Sequence, residues 1–262
     1  MSLGAAVLLG VLQGLTEFLP VSSSGHLALA QMLIPGFHQP GVLFDAMLHV
    51  GTAGAVVWYE RREIGRWLSS AQGRRLMALL LVGLAATAVV AFPIKAVAEA
   101  AFVRPVWIGI ALIVTGLVVA LTRWIPGGSN GERTMSWRHA VVIGLAQGAA
   151  VFPGLSRSGA TITTALASGL DRIWAARFSF LLGVPAILGV ALLELVGERQ
   201  ALAAAGAGYW VACGVGTVCA AVSGLIALHV VVATLSSRVF YRFGWYCVPL
   251  GLVVVVLTWG RG

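Results

Sequence analysis

From Gln200 to Ser237 the chain runs for 38 residues without an Asp, Glu, Lys or Arg. About 20 consecutive apolar residues suffice to cross a bilayer as a helix. Every backbone polar group in lipid must be bonded within the protein, so an uncharged run of this length folds as helix and sits in a membrane. Leu76–Ile94, Pro105–Thr122, Phe178–Leu193 and Phe243–Gly260 are uncharged in the same way, and Leu43–Tyr59 adds a run that carries Asp45 and His49. Together they predict six spans. The composition excludes the alternatives. Charged residues make up 10% of the chain and hydrophobic ones 59%, against about 25% charged in soluble domains. There is too little polar surface to cover a water-soluble globule, and far too much apolar residue for a disordered chain. A net charge of +8 raises nucleic acid as a partner. The basic residues are scattered over short loops, with no basic patch and no aromatic interleaving, so that class is excluded. Cys213, Cys219 and Cys247 lie in apolar runs without metal or disulfide spacing. Residues 1–14 contain no Lys or Arg, so the basic start of a cleaved signal peptide is not expected.

Two apolar regions are broken. Residues 1–35 are interrupted by Gln13, Glu17, Pro20, Ser22, Ser23, Ser24 and His26; His139–Leu170 is interrupted by Gln147, Pro153, Gly154, Ser156, Arg157 and Ser158. Non-helical backbone at membrane depth survives only where protein or a cavity surrounds it, so both regions read as re-entrant hairpins. They are copies of each other. At an offset of 134, Gly10, Gln13, Gly14, Phe18, Ser22, Ser24 and Gly25 match Gly144, Gln147, Gly148, Phe152, Ser156, Ser158 and Gly159, and Phe44, Leu48 and Val50 match Phe178, Leu182 and Val184. Each half is then a broken hairpin followed by three spans, and an odd number of spans inverts the second half. The reading is an all-α polytopic membrane protein with six transmembrane helices and two re-entrant helical hairpins in an inverted-topology repeat. It is one domain, residues 1–262, with repeats of about 1–130 and 135–262. Such repeats place a site at their interface near mid-membrane. Twelve arginines fall in loops 60–75, 123–138, 171–177 and 234–242, against Lys95, Arg104, Arg199 and Arg261 on the other side. The positive-inside rule makes the first set cytoplasmic and both termini extracytoplasmic. Gly83, Gly109 and Gly116 allow close helix packing within one chain or between two copies, which leaves a homodimer open.

The breaks carry the chemistry. Gln13 and Glu17 are four apart, on one helix face. A carboxylate in an otherwise uncharged segment needs a partner or a role. Pro20 ends the first half-helix, and Ser22, Ser23 and Ser24 stand where the next begins. Helix N-termini bind anions, and serine caps them. His26 lies within one turn of Ser22 and Ser23, so either hydroxyl could meet an imidazole, the pairing that activates a serine; capping or packing is the plainer role. Arg157, at the second break, offers a planar fork of donors suited to phosphate; a structural pair with Glu17 is the alternative, and both can hold at once. Thr161 follows it by one turn. Ser156 and Ser158 are donors to the same anion or caps. With Gln13, Glu17 could hold a divalent cation, Mg²⁺ or Ca²⁺, bridging to phosphate, or it could orient the base. Asp45 and His49 read as supporting residues. The set describes a phosphate-handling site.

At these residues the chain resembles the bacitracin-resistance type of undecaprenyl-diphosphate phosphatase. That family's first motif is Glu or Gln, three residues, Glu, then Pro-x-Ser-Ser-x-Gly-His, matched by Gln13–Glu17 and Pro20–His26; its second is Pro-Gly-x-Ser-Arg-Ser-x-x-Thr, matched by Pro153–Thr161. The resemblance implies removal of the terminal phosphate from a C55 isoprenyl diphosphate, the lipid carrier of cell-wall synthesis, in the bacterial plasma membrane. It also implies a site opening extracytoplasmically and dependence on a divalent metal. It assigns Gln13 and Glu17 to metal and acid/base positions and Ser23 to the nucleophile or phosphate contact, with His26 beside it. Arg157, Ser156 and Thr161 fall on phosphate-binding positions, with Ser22, Ser24 and Ser158 close by. Gln13 is a neutral amide and no base, so any proton transfer or metal charge falls to Glu17. Two rivals come from other classes. A lipid-phosphate transporter would use Arg157 and the serines but not Glu17, Ser23 and His26 together. An intramembrane serine protease would use Ser23 and His26 but has no role for Arg157.

Overall fold

The computed structural model describes residues 1–35, 43–102, 104–197 and 205–260. Among them there is no strand, only an isolated bridge between Asn130 and Leu170. The helices are α1 (Leu3–Phe18), α2 (Ser23–Leu33), α3 (Leu43–Tyr59), α4 (Arg61–Leu68), α5 (Ala71–Phe102), α6 (Pro105–Ala120), α7 (Trp137–Ala149), α8 (Arg157–Ala167), α9 (Arg172–Gly197), α10 (Ala207–Ser236) and α11 (Gly244–Thr258). Five helical stretches are long and apolar enough to cross a membrane: α5, α9, α10, and α6 and α11 with their flanking 3₁₀ turns. These correspond to five of the expected spans; residues 200–204 of the expected span Gln200–Ser237 lie outside the described residues. The sixth, α3, has 17 residues, about 25 Å of helix. Large apolar side chains such as Leu81, Val89, Val218 and Val256 point outward, as a surface bathed in hydrocarbon requires. The chain is an integral membrane protein.

Both breaks follow from local stereochemistry. Leu19 precedes proline and is held extended. The chain then passes through Ser22 at φ +71, and the Ser22 side chain caps α2 by accepting from the Gly25 amide at 3.3 Å. In the second break Gly154 sits at φ +93, where a Cβ would also press on the Ile108 carbonyl oxygen at 2.5 Å. Only glycine suits that place. Ser156 caps α8 by accepting from the Gly159 amide at 3.0 Å.

Glycines set the helix packing around these tips. α1 lies along α10, with Gly10 against the Gly216 backbone and Gly14 against Ala220 and Ser223; α7 lies along α5, with Gly144 against Gly83 and Gly148 against Thr87. α6 and α11 meet through Gly109 and Gly116 facing Gly251 and Gly244: a Cβ on Gly251 would stand 2.5 Å from the Gly109 carbonyl oxygen. Gly83, Gly109 and Gly116 thus pack helices within one chain. Because the neighbour is backbone, Gly251→Val should cost stability at the upper end of the about 1–3 kcal/mol typical of overpacking, read as a lowered midpoint of thermal unfolding in detergent. An unchanged midpoint would show that the pair is not tightly packed. Phe18 sits edge-on to Phe180 at 5.4 Å between ring centroids, joining the foot of α1 to the core of α9.

Candidate functional site

The two breaks meet tip to tip. A Cβ on Gly25 would lie 3.2 Å from the Gly154 Cα, and the Ser158 hydroxyl donates across the junction to the Leu19 carbonyl oxygen at 3.1 Å. α2 and α8 therefore start side by side, with Ser23 and Arg157 as their first residues.

Glu17 is the hub. It stands on the last turn of α1, with its side chain 5% exposed, and its carboxylate collects donors from three segments. Arg157 Nη2 reaches Oε1 at 2.5 Å. Ser23 Oγ donates to Oε2 at 2.6 Å and Gln13 Nε2 donates to the same oxygen at 2.9 Å. His49 Nδ1, from α3, lies 3.3 Å from Oε2 and 2.7 Å from Gln13 Nε2. A buried carboxylate is costly unless its charge and lone pairs are met, and here a guanidinium and a hydroxyl meet them. Arg157 is held at its far side by the Ser179 carbonyl oxygen, 3.3 Å from Nη1.

Gly183 makes room for this arrangement. A Cβ there would collide with the Arg157 guanidinium, and at the repeat offset of 134 its counterpart is His49. The two halves thus use equivalent positions oppositely: one supplies an imidazole beside Glu17, the other leaves space for the arginine. Gly183→Ala should displace the guanidinium and lower kcat/KM by about 10–100-fold, the scale of a 1 Å misplacement, while the protein stays monodisperse. Wild-type kinetics in that variant would show that Arg157 does not depend on the gap.

The remaining expected residues divide. Ser23 and Ser24 are half-buried at the start of α2, with Ser24 Oγ 3.4 Å from Ser22 Oγ. Ser22, Ser156, Ser158 and Thr161 are buried. Ser22 and Ser156 are spent as caps. Thr161 donates to the Arg157 carbonyl oxygen at 2.8 Å and bonds the Ser179 hydroxyl at 2.5 Å. It thus braces the turn that carries Arg157. His26 does not pair with Ser23. Its Nδ1 lies 2.7 Å from the Ser22 carbonyl oxygen and its Nε2 lies 2.8 Å from the Tyr246 hydroxyl, with the two rings stacked at 5.7 Å. A carbonyl can only accept, so the neutral ring carries its proton on Nδ1 and accepts from Tyr246. Asp45 accepts from Gln31 Nε2 at 2.7 Å. Tyr246 had no sequence signal, being one of several aromatics in the apolar run Phe243–Gly260. His49 did have one, its i,i+4 spacing from Asp45, and the structure sets it beside Gln13 and Glu17.

Comparison with known proteins places the chain. The model of the family described as bacitracin resistance protein BacA matches residues 6–253. The chain is similar to the undecaprenyl-diphosphatase of Syntrophotalea carbinolica, with 41% identity over 260 residues covering 96% of this chain and 97% of that one. The protein of the same name from Carboxydothermus hydrogenoformans is 40% identical, covering 96% of both chains. That of Korarchaeum cryptofilum is 35% identical over 98% of this chain and 100% of its own.

Proposed function

The chain belongs to the bacitracin resistance protein family, and we propose that the meeting of Glu17, Ser23 and Arg157 is where it acts. It is an undecaprenyl-diphosphatase: it hydrolyses undecaprenyl diphosphate to undecaprenyl phosphate and inorganic phosphate, returning the lipid carrier to cell-wall synthesis. The comparisons favour this over a transporter. His26, turned to Tyr246, leaves a serine protease without its dyad.

One observation carries the assignment of the site: a single buried carboxylate holds a hydroxyl from one break and a guanidinium from the other, at 2.6 and 2.5 Å. In the proposed mechanism the terminal phosphate lies against Arg157 and the starts of α2 and α8, where free amides and the helix dipoles favour anions. Arg157 neutralises the charge on the phosphoryl oxygens, the positioning and electrostatic work that dominates phosphoryl transfer. Ser23 Oγ attacks the terminal phosphorus and passes its proton to Glu17. The bond from that phosphorus to the bridging oxygen breaks, Glu17 returns the proton to that oxygen, and the lipid monophosphate leaves. Water, deprotonated by Glu17, then frees phosphate from Ser23.

We assign Gln13 and Glu17 to a divalent cation, Mg²⁺ or Ca²⁺. Gln13 Oε1 is buried without a partner while its amide nitrogen is engaged by Glu17 and His49. An orphaned oxygen beside a carboxylate is a partial oxygen set, of the kind that such an ion completes with water and phosphate oxygens. Among the described residues there is no group of three His, Cys, Asp or Glu, so substrate and water would supply the rest. Bound there, the cation would neutralise diphosphate charge. The test is phosphate released by purified protein in detergent from C15 and C55 isoprenyl diphosphates, with and without EDTA. Metal-dependent release is expected, restored by Mg²⁺ or Ca²⁺. Full release in EDTA would remove the metal assignment, and none under any condition would remove the phosphatase.

We further infer that the hairpins are re-entrant, that six helices span, and that the halves form an inverted repeat. Support comes from boundaries: α2 starts at Ser23 and α8 at Arg157, 134 residues apart. Support comes also from packing, since α1 lies along α10 as α7 lies along α5, the counterpart of α10 at that offset. On the charge count, loop 60–75 is cytoplasmic and the site opens outward; outside labelling of a cysteine placed in that loop would reverse the orientation.

A further inference from the structure

Each break is clasped by a span. Thr115 of α6 clasps the second: its hydroxyl donates to the Gly154 carbonyl oxygen at 3.0 Å and accepts from the Ser156 amide at 2.9 Å. One side chain thus joins the two backbone groups that flank the turn before Arg157. The counterpart of Thr115 at the repeat offset of 134 is Pro249 on α11, which has no hydroxyl to offer. The first break is clasped by α11 all the same, with other groups. The buried Cys247 thiol donates to the Pro20 carbonyl oxygen at 3.5 Å, and Tyr246 beside it reaches the same turn through His26.

That path ends at the reacting hydroxyl. Tyr246 Oη lies 2.8 Å from His26 Nε2, and His26 Nδ1 lies 2.7 Å from the Ser22 carbonyl oxygen. The neutral ring can brace Ser22 only in the tautomer protonated at Nδ1, and a donor facing Nε2 selects that tautomer. Ser22 needs a brace, since it stands at φ +71, a conformation costly for a residue with a Cβ and kept only where its surroundings impose it. The next residue is Ser23, whose hydroxyl donates to Glu17 Oε2 at 2.6 Å. A turn released at Ser22 loses the constraint that aims Ser23 at Glu17. The second half has neither part of this path: the counterparts of His26 and Tyr246 are Ala160 and Leu112. The imidazole and phenol belong to the break that carries the serine, and the Thr115 clasp to the break that carries the arginine.

We propose that Tyr246 is a positioning residue for phosphate release. It holds His26 in the tautomer that braces Ser22, and so keeps Ser23 aimed at Glu17. The proposal rests on the phosphatase reading above and adds a residue on α11 that acts through His26 without touching the reacting atoms.

Tyr246→Phe is the test, because the rings of His26 and Tyr246 stack at 5.7 Å and phenylalanine keeps the ring while removing the hydroxyl. It should lower kcat for farnesyl diphosphate about 3–10-fold, the scale of one neutral hydrogen bond, with KM within about twofold. Tyr241→Phe, whose ring sits edge-on to Trp245, should match wild type. Nitrogen-15 NMR of protein labelled in histidine reads the tautomer without turnover. In wild type the His26 ring should show a protonated Nδ1 and an unprotonated Nε2, its signals identified by their absence from His26→Asn; in Tyr246→Phe the two tautomers should be mixed. His26→Asn keeps a side-chain N–H for the Ser22 carbonyl and should keep measurable activity. Adding Tyr246→Phe to it should change nothing further, since the two residues act as one unit. A wild-type rate or an unchanged tautomer in Tyr246→Phe, a further loss in the double variant, or no activity in His26→Asn would overturn the proposal. Failure of wild type to release any phosphate, with the tautomer signals as expected, would instead overturn the phosphatase reading beneath it.

Discussion

Arg157→Ala is expected to abolish phosphate release, lowering kcat by about 10³–10⁵-fold, the range set by arginines that stabilise phosphoryl-transfer transition states. The expectation rests on two separate losses. Arg157 is the cation at the start of α8, and its removal leaves the phosphoryl oxygens with only amides and hydroxyls. It is also the partner of Glu17 at 2.5 Å, and stripping one member from a buried pair costs about 3–5 kcal/mol of stability. The two effects must be separated, since a protein that fails to fold also fails to turn over. Glu17→Gln combined with Arg157→Ala removes both charges, so the unfolding midpoint should return most of the way to wild type while phosphate release stays absent. Arg157→Lys keeps the charge, but a point ammonium cannot hold both Glu17 and the Ser179 carbonyl oxygen as the fork does. It should retain a small fraction of activity, measurable above Arg157→Ala. A purely structural pair predicts the reverse, with activity recovering whenever stability does.

Much of this site was legible in the sequence because the residues that form it are expensive where they stand. Glu17 and Arg157 are charges in apolar segments, and each sits at a break that repeats at a fixed offset. Such a repeat brings two equivalent points together at its interface, and the structure joins those two side chains. What did not follow from spacing was which donor goes to which acceptor. Ser23 and His26 are within one turn of each other, yet the first turn of α2 points Ser23 back at Glu17 and His26 out toward Tyr246, a residue 220 positions away. The partner of a side chain on a helix end depends on how that helix meets its neighbours, and apolar spans carry little pattern to say. The place of His49 follows the same rule. Its i,i+4 relation to Asp45 lies along one helix, whereas its contacts with Gln13 and Glu17 depend on how α3 meets α1. Thr161 and the capping serines show the converse: their place in a motif beside the arginine is explained by the turn they hold, with no ligand required. α3, by contrast, was legible: the run Leu43–Tyr59, closed by the charged Glu60 that follows, is the helix found.

Ser23→Ala separates the two roles its hydroxyl can have. The Oγ donates to Glu17 Oε2 at 2.6 Å, the geometry of a nucleophile already within reach of its base. It is also the first residue of α2, where free amides gather an anion. As nucleophile, its loss should cost about 10³-fold or more in kcat, since the neighbouring hydroxyls of Ser22 and Ser24 bond each other and not the base Glu17; the scale is that of losing a member of a nucleophile–base unit. As a mere contact to phosphate, its loss removes one hydrogen bond to a charged group, about 1.5–3 kcal/mol, or roughly 10–200-fold, with water taking over the attack. Ser23→Thr keeps the hydroxyl beside Glu17 and should keep part of the rate in either case, so it reports on crowding alone. The measurement that distinguishes the roles is an acid quench during turnover of isoprenyl diphosphate labelled in its terminal phosphate. Label should be retained on a peptide containing Ser23 in wild type and be absent in Ser23→Ala. A tenfold loss with no retained label would make water the nucleophile and leave Glu17 as its base. The Glu17–Ser23 bond would then be a means of holding the hydroxyl toward the phosphate that Arg157 binds.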